Sequence, residues 1–272
     1  GNDMKDNPTI QETQDEILVL LKEFDRVCRN NNIKYSLHGG TLLGAVRHGG
    51  FIPWDDDADV TMMREEYNKL LKCFNQQSEE YVLIESYLHM PRIIRKKFDE
   101  DTVFAWVDIM IYDPITENKI GQKIKFGAIL FYQAMCRNKV TIKLIEGKSH
   151  GGIQMALFKA AYMIGKPFSY EKKFGWYNRF CETKLCGSRQ YIHRSNDQLR
   201  GMKMLVPAHC MTAYRDIQYA DARLMITKDY DEVLTISYGK NYMTPIHDDA
   251  NDDLHIHFRE AFLKHLNLLE DV

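Results

Sequence analysis

This chain has little cysteine, no surplus of either charge and no long apolar run, and each shortage closes off a class of protein. Its six cysteines, Cys28, Cys73, Cys136, Cys181, Cys186 and Cys210, are too thinly spread over 272 residues for a disulfide scaffold, and no two have the C-x-x-C spacing of a zinc or redox motif. They read as buried thiols in a reducing compartment. With 36 basic against 38 acidic side chains the net charge is −2, which excludes a protein that holds nucleic acid by bulk electrostatics. The longest uncharged stretch of apolar character, Phe126 to Cys136, falls far short of the ~20 residues a helical span needs. Gly1 to Thr9 is mainly polar and does not read as a secretory leader, so a cytoplasmic protein, peripheral to a membrane at most, is the expectation. Repeats and low-complexity tracts are missing, as is any Pro/Gly/Ser-rich linker. There is no G-x-G-x-x-G, and no Lys-Ser/Thr follows a G-x-x-x-x-G, so neither a Rossmann dinucleotide site nor a P-loop is supported. The ten histidines show no H-E-x-x-H spacing.

What is present is enough apolar residue, 44%, to bury a real core. Thr9 with Glu12 forms a capping-box pattern, after which Ile17, Leu21, Phe24 and Cys28 recur at helical spacing. A short strand is expected over Ile33 to Leu37, then His38-Gly39-Gly40, a short helix over Thr41 to Arg47, and a strand over Asp57 to Met62. A helix follows over Arg64 to Phe74, and then β-rich segments at Tyr81 to Leu88, Arg92 to Phe98 and Val103 to Ile111. Beyond Pro114 the spacing turns mainly helical over Ile120 to Arg137, Gly152 to Ile164 and Tyr170 to Leu185. A hairpin is expected within Tyr214 to Met225, and a helix over Tyr230 to Tyr238 capped by Gly239. The expected fold is therefore α/β (α+β): a mixed sheet with flanking helices in residues 10–115, and a mostly helical half with a short hairpin in 116–272.

The one composition outlier is Trp54-Asp55-Asp56-Asp57-Ala58-Asp59-Val60, four carboxylates in five positions. Two like charges about 4 Å apart repel by about 4 kcal/mol at an effective dielectric of about 20, so such a cluster held in a folded strand calls for a counter-cation. Residues two apart on a strand share a face, which points Asp57 and Asp59 together, with Asp55 joining if the extended geometry starts early. Hard oxygen ligands favour Mg²⁺, Mn²⁺ or Ca²⁺ over zinc. Three readings compete: a solvated loop, a calcium loop, and a metal-dependent phosphoryl-transfer site. For the calcium loop, Asp55, Asp57, Asp59 and Glu66 fall at positions one, three, five and twelve of an EF-hand, but Val60 stands where that loop needs glycine. For phosphoryl transfer, Gly39-Gly40-Thr41 between a strand and a helix offers backbone N–H groups and a hydroxyl to a phosphate. The order of glycine turn, short helix, loop and carboxylate-x-carboxylate strand would line one cleft with a phosphate cradle and a metal pair.

The run from Ser36-Leu37-His38-Gly39-Gly40-Thr41 through Gly44-Ala45-Val46-Arg47-His48-Gly49-Gly50 to Pro53-Trp54-Asp55-Asp56-Asp57-Ala58-Asp59-Val60 resembles the signature of the LicD family. That family includes bacterial phosphorylcholine transferases and is similar to the fukutin-type enzymes, on a nucleotidyltransferase fold of the polymerase-beta type. Phe104-Ala105-Trp106-Val107-Asp108-Ile109-Met110 resembles its later carboxylate-bearing strand, and Tyr238-Gly239-Lys240-Asn241-Tyr242-Met243-Thr244-Pro245 its C-terminal tyrosine-glycine segment. Residues 115–205 carry no matching motif. Two departures bear on substrate choice: Arg92-Ile93-Ile94-Arg95-Lys96-Lys97 before the third carboxylate, and His255-Ile256-His257 after the acidic insert Asp248 to Asp253.

The resemblance implies that Asp57, Asp59 and Asp108 are catalytic and hold Mg²⁺ or Mn²⁺, with Gly39, Gly40, Thr41 and Arg47 at the nucleotide phosphates. It implies transfer of a phospho-alcohol unit from a CDP-activated donor such as CDP-choline to a hydroxyl of a glycan or lipid-linked glycan, as in lipopolysaccharide or teichoic acid modification, with CMP leaving. Asp108 is the candidate to help remove the acceptor proton. Two other readings stay open: a nucleotidyltransferase acting at the α-phosphorus of an NTP, and a non-catalytic binding protein on the same fold. In the helical half, Lys123, Lys125, Phe126, Phe131, Tyr132 and Arg137 suit either an ordinary amphipathic core helix or contact with an anionic membrane surface.

Overall fold

The computed structural model describes residues 4–85, 90–139, 142, 151–183, 185 and 190–246. The His255-Ile256-His257 segment, the acidic insert and Cys186 lie outside them. Helix α1 (Ile10–Asn30) begins where Thr9 Oγ1 accepts from the Glu12 N–H at 3.1 Å, while the Glu12 carboxylate pairs with Lys5, so half of the capping box forms. Ile17, Leu20, Leu21, Phe24 and Val27 of α1 are fully buried, each stabilising the fold by roughly 1.5–3 kcal/mol.

The chain then runs through β1 (Ser36–His38), α2 (Gly39–His48), β2 (Ala58–Met63), α3 (Arg64–Gln77), β3 (Tyr81–Ile84), β4 (Arg92–Arg95) and β5 (Val107–Ile115). After these come α4 (Lys119–Cys136), α5 (Gly152–Gly165), α6 (Tyr170–Cys181), β6 (Tyr191–Arg194), α7 (Leu199–Met202), β7 (Val206–Pro207), the hairpin β8 (Tyr214–Tyr219) and β9 (Ala222–Thr227), and α8 (Tyr230–Tyr238). Gly39 and Gly40, expected as a turn before the second helix, form its first residues instead, with His38 at the N-cap.

The main sheet has the order β1-β2-β5-β4-β3, with β6 beside β5 and β7 beside β6. Among the described residues, only β2 and β5 run parallel. The nine-residue β5 shares one edge between two partners, pairing β4 at Val107 and Asp108 and β6 from Tyr112 to Ile115. β6 and β7 thus bring residues beyond 115 into the sheet that the sequence reading confines to 10–115. Runs of four and two residues are too short for a periodicity to register. The β8–β9 hairpin docks on β1, where the Tyr35 hydroxyl accepts from Met225 N–H at 3.1 Å and Ser36 Oγ from Thr227 N–H at 3.0 Å.

A second apolar cluster forms where α4 and α6 cover Ile115 and Met202. There Lys125 and Phe126, both candidates for a membrane face, turn inward. Lys125 Nζ donates to the carbonyls of Pro114 at 2.6 Å and Cys181 at 2.8 Å, and burial lowers its pKa to about 8. No helix among the described residues is long and apolar enough to cross a membrane. The five cysteines among those residues are free, and all but Cys73 are buried.

Candidate active site

Strand periodicity builds the site. Ala58, Val60 and Met62 of β2 are fully buried on one face of the sheet, so Asp57, Asp59 and Thr61 project from the other. Register then sets a row across four strands: His38 lies opposite Asp59, Asp59 beside Asp108, and Asp108 opposite Arg92. Register partners emerge on the same face, and Asp59 and Asp108, 49 positions apart in sequence, become neighbours.

Helix α2 closes over the row. A Cβ on Gly40 would stand 2.7 Å from Asp55 Oδ2, and one on Gly39 would stand 3.5 Å from Asp59 Oδ2 and 3.6 Å from the Tyr238 hydroxyl. Gly39 also has φ +55°, which a larger residue resists. The Thr41 hydroxyl is buried and accepts from Asp59 N–H at 3.0 Å, so it ties α2 to the carboxylate strand. The acidic loop is anchored from behind by Gln14 of α1, whose Nε2 donates to the carbonyls of Ile52 at 3.2 Å and Asp55 at 2.9 Å.

A cleft of about 370 Å³ opens between α2, the acidic loop and the segment after α8. Gly40, Leu43 and Arg47 form one wall, Ile52 and Trp54 to Asp57 the floor, and Tyr238, Asn241, Tyr242, Thr244 and Ile246 the other wall. Of the residues singled out from sequence, Gly40, Arg47 and Asp57 line this cleft; Gly39, Thr41, Asp59 and Asp108 are not part of its lining, although Asp59 lies against Gly39 and beside Asp108. Arg47 is tied to the far wall, its Nη1 donating to the Tyr242 carbonyl at 3.0 Å.

Electrostatics mark the same place. Burial first, then the charges of Asp59 and Asp55, a hydrogen bond with Asp55, and Asp108 push the Asp57 carboxyl well above the usual range. Asp59 is raised well above it by burial, Asp108, Asp55 and Asp197, against the pull of Arg194. Burial, followed by Asp59, Asp55 and Asp57, raises the Tyr238 hydroxyl. Asp108 is held differently. Arg92 Nε donates to its Oδ1 at 2.5 Å and Trp106 Nε1 to its Oδ2 at 3.2 Å, with the guanidinium 4.6 Å above the indole centroid.

Carboxylate oxygens of Asp55, Asp56 and Asp57 lie within 4.8 Å of one another. An oxygen-only set of crowded carboxylates, in which Asp57 and its neighbour Asp59 are raised by burial and by the charge of nearby carboxylates, fits a hard divalent ion such as Mg²⁺ or Mn²⁺. The calcium-loop reading fails: Asp59 belongs to a strand, and Glu66 lies within α3, where its carboxylate accepts from Lys34 N–H at 2.7 Å and pairs with Lys69.

Sequence reasoning missed Arg194 and Gln14 and saw Arg92 only as a departure. Arg194 ends β6, is buried, donates through Nε to Asp197 at 2.7 Å, and acts on Asp59 and His38. The one available signal was Gln14, a polar residue on the apolar stripe of α1 three positions before Ile17.

Residues 32–134 match the family described as LicD/FKTN/FKRP, nucleotidyltransferase domain. The lipopolysaccharide cholinephosphotransferase LicD of Haemophilus influenzae is 46% identical over 78 residues, 29% of each chain. An uncharacterized protein of Rickettsia prowazekii is 35% identical over 127 residues, 42% of this chain and 47% of its own. The human ribitol 5-phosphate transferase FKRP is 53% identical over 34 residues, 12% of this chain and 7% of its own. The chain thus spans less than half the length of the relatives it matches, and the two of them with a named activity are transferases of phospho-alcohol units. The matched segment holds Gly39 and Gly40 at the start of α2, the acidic loop and the strand of Asp108, and it is through residues 32–134 that the chain is similar to the LicD family.

Proposed function

We propose that the cleft transfers a phospho-alcohol unit from a CDP-activated donor such as CDP-choline to a hydroxyl of a glycan or lipid-linked glycan. The observation that carries this reading is the register of Asp59 beside Asp108 on parallel strands, next to Asp57 and under the glycine turn of α2. The first turn of α2 leaves N–H groups without helical partners that suit donor phosphates, and Gly39 and Gly40 let the acidic residues lie close to that turn. Thr41 fixes the strand that carries Asp59, and Arg47 adds positive charge to the cleft wall. Asp55, Asp56 and Asp57, with Asp59 and Asp108 behind, would hold Mg²⁺ or Mn²⁺. Such an ion, when bound, neutralises charge on the transferring phosphate and makes the acceptor hydroxyl more acidic. Asp57 lines the cleft, whereas both oxygens of Asp108 already accept from Arg92 and Trp106, so Asp57 is better placed to take the acceptor proton than Asp108.

A thermal-shift series with CDP-choline, CDP-ethanolamine, CDP-ribitol, CDP-glycerol and CTP, each with and without Mg²⁺, tests the proposal. Stabilisation by a CDP-alcohol together with Mg²⁺, followed by release of CMP when an acceptor glycan is added, is the expected result. Stabilisation by CTP alone, with pyrophosphate as product, would replace it with nucleotidyl transfer.

A further inference from the structure

Outside the cleft, the α4–α5 pair wears its apolar side chains on the outside. In α5 only Ala161 and Gly165 are buried, while Ile153, Leu157 and Ile164 are 82%, 66% and 52% exposed. Their spacing of four and then seven residues sets them on one stripe. α4 repeats that spacing with Ile120, Ile124 and Phe131, exposed by 71%, 59% and 41%. The helices meet through Ala134, Met135 and Ala161, so neither stripe is spent on their own contact. Two apolar stripes on neighbouring helices exceed what a lone surface residue explains and call for a partner.

Charge identifies it. From Asn118 to Tyr170 the sequence has nine lysines and arginines and a single acid, Glu146, in a chain whose net charge is −2. Lys123 of α4, Lys159 of α5 and Lys166 just after it are exposed. A second copy seated on this face would press the same lysines against one another, which like-charge repulsion opposes. Exposed lysine on the same helix pair as exposed isoleucine and leucine instead matches a bilayer, where phosphate headgroups lie above the acyl boundary.

We infer that α4 and α5 form a docking face for an anionic lipid bilayer, with Ile153, Leu157 and Ile164 entering the acyl boundary and Lys123, Lys159 and Lys166 meeting lipid phosphates. None of these residues lines the cleft, so the docking face stands or falls independently of the transfer reaction. It would keep the enzyme where a lipid-linked acceptor resides.

Flotation of the full chain, without donor, on vesicles of phosphatidylcholine mixed with phosphatidylglycerol and on phosphatidylcholine alone tests this. Binding should require the anionic lipid and fall with salt. It should weaken about fivefold for each of Lys123→Gln and Lys159→Gln, and roughly tenfold for Ile153→Ser combined with Leu157→Ser. Circular dichroism and thermal stability of these surface variants should match the parent. Failure of the full chain to float with anionic vesicles overturns the inference, as does flotation that the serine variants leave unchanged. Two replacements would then be recognisable: a dimer in light scattering that the serine variants dissociate, or vesicle binding that appears only when residues 247–272 are removed.

Discussion

The carboxylate row and the α4–α5 pair break the ordinary rule of burial in opposite directions. At the row, groups that prefer water are partly withdrawn from it: Asp57 and Asp59 are half-buried beside Asp108, and their carboxyls rise because the charged form is poorly solvated and repelled. On α5, groups that avoid water are left in it, with Ile153 and Leu157 largely exposed. Neither arrangement stabilises an isolated monomer. Under the readings proposed above, each makes physical sense once something arrives from outside, a divalent cation in the first case and an apolar, anionic surface in the second. Local inconsistency with the folding rules is thus a guide to function in both places.

A third region gives the contrast its scale. Asp113 lies five residues beyond Asp108 on β5, is fully buried, and is completely satisfied within the protein. Arg64 donates to both of its oxygens, and Ser195 Oγ adds a third bond. One strand therefore carries a carboxylate used for structure at one end and a carboxylate beside an acidic cluster at the other.

The sharpest way to break the comparison is to remove a charge at the row. Asp57→Asn or Asp59→Asn should lower transfer of label from a CDP-alcohol by roughly a thousandfold or more, while the metal-free variant melts above the parent because one repulsion is gone. Full activity in either variant would remove these carboxylates from the site. Next in size, Arg64→Met should destabilise the fold by about 3–5 kcal/mol in urea unfolding, because it strands the buried Asp113 charge. An unchanged midpoint would show that Asp113 is not the structural carboxylate described.

Acid and alkali should act on the two sides with opposite signs. Burial, helped by Lys125, lowers the His193 imidazole to about 3 on the sheet edge that packs against Phe126 of α4. Its unfolded value is ~6.5, so its contribution is complete above that pH and is lost as pH falls from 6.5 toward 3, at up to about 1.4 kcal/mol per pH unit. Asp57 and Asp59 are raised in the folded state, so in EDTA their contribution is present below the unfolded value of ~3.9 and is lost as pH rises through their folded values. Calorimetry in EDTA should therefore find that Asp57→Asn lifts the melting temperature at neutral pH and leaves it unchanged near pH ~4. Equal shifts at both pH values would contradict the raised carboxyl. The smallest effect is expected on the α5 stripe, where Ile153→Ser should change stability by no more than ~0.5 kcal/mol. A larger loss in urea would mean that the stripe is covered within the folded chain.

Much of this was legible before any coordinates. The α1 helix, the β8–β9 hairpin and α8 ending at Gly239 follow from spacing and capping residues alone, because each is fixed by contacts close in sequence. The proximity of Gly39, Gly40 and the Asp55 to Asp59 run was legible too, since a short helix and loop join them. Arg194 was not, being delivered by a four-residue strand whose place beside β5 depends on pairing 82 positions away in sequence, Tyr112 with Arg194. Nor was the partnership of Arg92 with Asp108. A basic run before a carboxylate strand reads as surface charge until antiparallel register puts one arginine opposite the aspartate. Lys125 misled for a related reason: a lysine on a helix is ordinarily solvated, and only the carbonyls of Pro114 and Cys181, from two other elements, allow it to turn inward.

By itself the sequence determined that there is an acidic cluster needing a counter-charge, a glycine pair ahead of it and a predominantly basic stretch between Asn118 and Tyr170. These are matters of composition and short spacing, which the chain carries whatever its fold. Tertiary structure decided which carboxylates face the cleft, which arginine holds Asp108, and which side of α4 and α5 stays uncovered. Those outcomes depend on strand register and helix packing, where a shift of one residue turns a side chain to the opposite face.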